Sequence, residues 1–188
     1  MMQIISMEDY KMSAILGAAA LASSKQANAY VIKNPNQATN SFTVTDKGKA
    51  AATLKLSGED NINQLKNVLK DYDMTSISTN DLAKVGMLLY QNGLIDQSVV
   101  SQFISGNMAF DANGQQTDKD VKFNAIAMFN EMLSDTKEVA KANPQFGISG
   151  QDGYKAALQS LVGANQVINA LAYFAKSTHS NISVSEQA

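Results

Sequence analysis

The chain of 188 residues has no cysteine, no arginine and no tryptophan, and only two prolines. Without cysteine there is no disulfide, no thiolate metal site and no thiol nucleophile, so cysteine pairing leaves both the cytoplasm and the exterior open as its compartment. Without arginine there is no planar fork for phosphate or guanine. All fifteen basic residues are lysines, set among seventeen acids for a net charge of -2. No basic stripe forms, and a nucleic-acid partner is not expected. The single histidine, His179, stands in a polar C-terminal stretch without a second imidazole for a metal pair. No apolar run approaches the ~20 residues that cross a bilayer, so no integral membrane segment is expected.

What is present reads as helix. With 45% apolar residues the chain is long enough to bury one sizeable core. Between Ser76 and Gly106, Ser78 or Thr79 caps a run of Leu82, Val85, Leu88 and Leu89 at helical spacing. Gly93 then allows a turn, and Asp96 caps a second run of Val99, Val100, Phe103 and Ile104. Upstream, Ser57 with Asp60 outlines a capping box ahead of Ile62, Leu65, Val68 and Leu69. Downstream, a long helix is expected from Asp118 to Asn143-Pro144, with a stripe of Val121, Ala125, Phe129, Met132, Leu133, Thr136 and Ala140. A last helix carries Tyr154, Leu158, Leu161, Ile168, Leu171 and Phe174 to about Lys176. The fold class is therefore mainly α, a bundle of five or six helices over residues 57–177, with a flexible tail at 178–188.

Residues 1–56 offer alternatives. Lys11 precedes an apolar run from Met12 to Ala22, and Ala27-Asn28-Ala29 has the small-x-small form of a signal-peptide cleavage site. Glu8 and Asp9 oppose the positive flank such a leader uses. The preferred reading is a retained Ala-rich amphipathic helix and a cytoplasmic protein, with export as the alternative. Ser41 to Thr45 alternates apolar and hydroxyl side chains, and Leu54 and Leu56 share a period of two, which outlines either a small N-terminal β-hairpin or a loosely ordered arm. Ile15, Leu16, Phe42, Val44, Leu54 and Leu56 are the candidates for an apolar partner-binding surface.

One loop has the wording of a metal site. Asp111, Asn113, Thr117 and Asp120 fall at EF-hand positions three, five, nine and twelve, which would make calcium the ligand. Position one is Ala109, where an aspartate should anchor the ion. The favoured reading is an Asx turn, Asp111-Ala112-Asn113-Gly114, joining two helices without a cofactor. There is no nucleophile elbow or phosphate-binding glycine loop. Catalysis is not expected, and a hydrolase using two distant carboxylates is the residual enzymatic alternative.

The absence of Cys, Trp and Arg together with abundant Ala, Ser, Thr, Asn and Gln resembles the composition of bacterial flagellar axial proteins and of substrates of the related type III secretion channel. A codon bias towards Lys and Asn produces much of the same composition. The wording from Asp73 to Ile95 also resembles a segment of uncharacterised small helical bacterial proteins. These resemblances imply no site residue. The function expected is that of a non-enzymatic bacterial interaction or structural protein, burying an apolar patch against a protein partner or a second copy.

Overall fold

The computed structural model describes residues 29–143 and 151–185. Among them are six helices: α1 (Lys47–Thr53), α2 (Glu59–Leu69), α3 (Thr79–Gln91), α4 (Gln97–Ser105), α5 (Ala125–Ala142) and α6 (Gln151–Ser185). Two short strands, β1 (Ile77–Ser78) and β2 (Lys122–Phe123), complete the set. The mainly α-helical class holds.

Helix α6 is the hub. Leu161, Ala164, Val167, Ile168, Ala170, Leu171, Ala172, Phe174 and Ala175 are all buried, so its apolar surface extends well beyond one stripe. A helix so covered must be enclosed by neighbours, and α1, α2, α4 and α5 all pack on it. Small residues permit the approach. A Cβ at Gly163 would lie 2.7 Å from Val99 of α4, and one at Gly86 of α3 would lie 2.8 Å from Phe103 of α4. Phe103 in turn stacks on Phe129 of α5 with ring centroids 5.5 Å apart, joining the α3–α4 hairpin to the rest of the core.

The strands tie two similar turns together. Ile77 pairs with Phe123 and Ser78 with Lys122 in an antiparallel ladder. Each strand runs straight into a helix capped by its own side chain: Ser78 accepts from the Asp81 amide, and Asn124 from the Ala127 amide. The Ala125 amide donates to the Met74 carbonyl at 3.0 Å, which locks the start of α5 to the turn before β1.

Four expectations change. The hairpin outlined over residues 41–56 does not form, because Lys47–Thr53 is α1, capped by the Asp46 carboxylate on the Lys49 amide. Three consecutive alanines favour helix over strand, and Ala50 and Leu54 then enter the core. The capping box at Ser57 is replaced by Gly58 at positive φ, with no side-chain cap on α2. The helix expected from Asp118 starts seven residues later, since Lys122 and Phe123 join the ladder and the Asn80 amide takes the Lys119 carbonyl. At the other end α6 continues past Lys176 to Ser185, there being no Gly or Pro to stop it.

Candidate functional site

Between residues 30 and 46 the chain crosses the helices as an arm without regular structure, and α5 holds it with polar side chains. Glu131 is only 6% exposed. A buried carboxylate needs donors, and three converge on it: the Lys33 and Asn34 amides at 2.7 Å each and the Asn34 side-chain amide at 3.2 Å. One turn on, Asp135 accepts from the Tyr30 hydroxyl and from the Lys33 ammonium, both at 2.8 Å. Asn124 donates to the Pro35 and Gln37 carbonyls at 2.8 and 2.9 Å, while its carbonyl oxygen caps α5. The Tyr30 amide donates to the Asn107 carbonyl at 2.8 Å. Thus the segment from Tyr30 to Gln37 is latched along its length.

The latch perturbs its own titrations. Burial raises the Tyr30 phenol above its ordinary range, reinforced by its bond to the Asp135 carboxylate. The bonds from Lys33 and then Tyr30 lower Asp135, and that same carboxylate raises Lys33. Each group is held in the protonation state that keeps the latch closed at neutral pH.

Beside the latch lies a cleft of about 480 Å³ lined by Tyr30, Met132, Asp135, Thr136, Val139, Ala140 and Tyr154. Met132, Thr136, Val139 and Ala140 recur at helical spacing on α5 and present a mostly carbon surface. The Thr136 hydroxyl bonds back to the Met132 carbonyl at 2.7 Å, so its polar atom is already occupied. Val139 is 56% exposed. The cleft holds one carboxylate, Asp135, already engaged by Tyr30 and Lys33. Among the described residues that line it there is no second acid for two-carboxylate hydrolysis and no free base.

The candidates named from the sequence fall elsewhere. Ile15 and Leu16 lie outside the described residues. Leu54 is fully buried, while Phe42, Val44 and Leu56 pack partly buried against the core, Val44 and Leu56 each also lining a surface cleft. In the metal-like loop the Asp111 carboxylate accepts from the Asn113 and Gln115 amides at 2.9 and 2.8 Å, which is the Asx turn. Thr117 donates its amide to the Ala109 carbonyl, and its hydroxyl is buried without a partner. Asp120 accepts from Asn80 of α3 at 2.7 Å. The Asp111 and Asp120 carboxylates are engaged separately, and among the described residues no three acids or histidines gather as metal ligands.

Sequence reasoning missed Glu131 and Asp135. Two acids one turn apart repel on a bare helix, and that repulsion was a signal that donors face them. The cleft was hidden differently. The apolar stripe of α5 is wider than the core needs: Ala125, Phe129 and Leu133 are buried, and its outer half, joined by Val139, is left over. No family model matches the chain, and neither a curated protein nor a solved structure resembles it significantly.

Proposed function

We propose that this is a non-enzymatic bacterial interaction or structural protein that works by burying an apolar face, with self-association as the simplest form. The α5 cleft carries the reading. Its walls are carbon, its one carboxylate is satisfied within the chain, and Val139 stands half out of the surface with nothing covering it among the described residues. A helix or extended segment of a second copy laid against Met132, Val139 and Tyr154 would remove that surface from water. At about 25 cal/mol per Å² of apolar area the cleft alone gives a weak contact, so the association is expected to depend on concentration.

Sedimentation equilibrium over a hundredfold range of protein concentration tests this reading. A rise in mean mass that Val139→Asp abolishes, with helical content unchanged, supports it. A monomer throughout, for wild type and variant alike, removes self-association as the function.

A further inference from the structure

We infer that the arm gates the α5 cleft: seating the segment from Tyr30 to Gln37 completes the docking surface, and releasing it dismantles that surface. This deepens the self-association reading and rests on it for the partner, a second copy of the chain. The cleft's lining comes from three elements: Tyr30 from the arm, residues between Met132 and Ala140 on α5, and Tyr154 from α6. Two of these, Tyr30 and Asp135, are also partners in the latch, hydroxyl to carboxylate at 2.8 Å. Cleft and latch therefore share side chains, and neither can be taken apart alone. Tyr30 is anchored from beyond the cleft as well, by its own amide on the Asn107 carbonyl and by the Lys33 and Asn34 amides on Glu131.

Lifting the arm changes the cleft in two ways. It withdraws the Tyr30 ring, which packs partly buried against the core, and it strips Asp135 of the Tyr30 hydroxyl and the Lys33 ammonium. Glu131, one turn earlier, loses its three donors in the same step. Lys33 also lies in the field of Glu131 and Glu138, so its departure leaves negative charge uncompensated along this stretch of α5. An apolar segment of a second copy would then have to desolvate free carboxylates to reach the carbon floor, and that is costly. Docking competence thus follows the fraction of chains with the arm closed. The linkage runs both ways: a copy seated in the cleft holds the arm shut by the same factor by which arm opening weakens docking.

Sedimentation equilibrium of the full chain and of its Glu131→Ala and Tyr30→Ala variants tests the gate, together with hydrogen exchange over residues 30–37 at low and high protein concentration. Glu131 is outside the cleft's lining, so its loss reaches docking through the arm. With helical content unchanged, both variants are expected to associate about tenfold more weakly than wild type. Arm protection is expected to rise with concentration in wild type and to stay flat in Val139→Asp. Association of Glu131→Ala at wild-type strength, with its arm open by exchange, overturns the gate and leaves self-association standing. So does an arm that stays protected in Glu131→Ala, or wild-type arm protection that ignores concentration while the mass rises. A wild-type chain that stays monomeric removes self-association, and a neutral apolar dye, Nile red, then decides the gate. Dye fluorescence in wild type that both Glu131→Ala and Val139→Asp lose supports it; equal fluorescence in wild type and Glu131→Ala, or none in wild type, overturns it.

Discussion

The region around α6 and the arm from Tyr30 to Gln37 are held by different physics. Around α6, Phe103, Phe129, Phe174, Leu171 and Ile168 are all fully buried, and each such side chain contributes about 1.5–3 kcal/mol through removal from water. The arm sets only Tyr30 and Ile32, both partly buried, against the core and is otherwise attached by directed bonds to Glu131, Asp135, Asn124 and Asn107. Hydrophobic burial is tolerant of detail and spread over many residues. A polar latch is concentrated, so a single substitution can open it while the core survives.

Substitutions can break this comparison at several points. Phe129→Ala removes the ring that joins α5 to α4 and is expected to cost about 3–5 kcal/mol in denaturant unfolding, with all helices lost together. Gly106→Ala combines a residue at positive φ with a Cβ only 2.4 Å from the Thr79 hydroxyl oxygen, and should destabilise globally by about 2–3 kcal/mol. Glu131→Ala leaves the Lys33 and Asn34 amides without their acceptor, a loss of about 1–3 kcal/mol expected in the arm alone. Tyr30→Phe deletes one bond to Asp135, for about 1 kcal/mol by the same measure.

A pH series sharpens the contrast. The lowered Asp135 stabilises above the ordinary carboxylate range, and its contribution is lost as pH falls through its folded value. The raised Tyr30 stabilises below the ordinary phenol range, and its contribution is lost as pH rises through its folded value. Tyrosine absorbance should therefore show a late-titrating phenol that Tyr30→Phe removes. Arm protection should decline at both pH extremes before the core yields.

Legibility in the sequence follows the same division. The α3–α4 hairpin was readable because Leu82 and Val85 follow a serine cap, Val99 and Phe103 follow the glycine turn at Gly93, and each pair keeps helical spacing, all within some thirty residues. Of the latch only the acid pair Glu131 and Asp135 left a local signal, and its donors were not readable. Its partners are separated by about a hundred positions, Lys33 from Glu131 and Tyr30 from Asp135, and hydrogen bonding leaves no period in the chain. The strand pair escaped for a related reason: two residues each are too few for alternation to appear, and Ile77 meets Phe123 only because the turns before α3 and α5 are brought together. The cleft lay within a stripe that was read, but periodicity marks an apolar face without saying how much of it a neighbour covers.

Amide hydrogen exchange followed by mass spectrometry on wild type and Glu131→Ala tests the two-part construction most directly. The account predicts that peptides spanning residues 30–37 lose protection in the variant while those from Leu161 to Ala175 of α6 keep theirs. Equal loss in both places would show the arm to be an inseparable part of the core, and unchanged protection of the arm would show that Glu131 does not hold it.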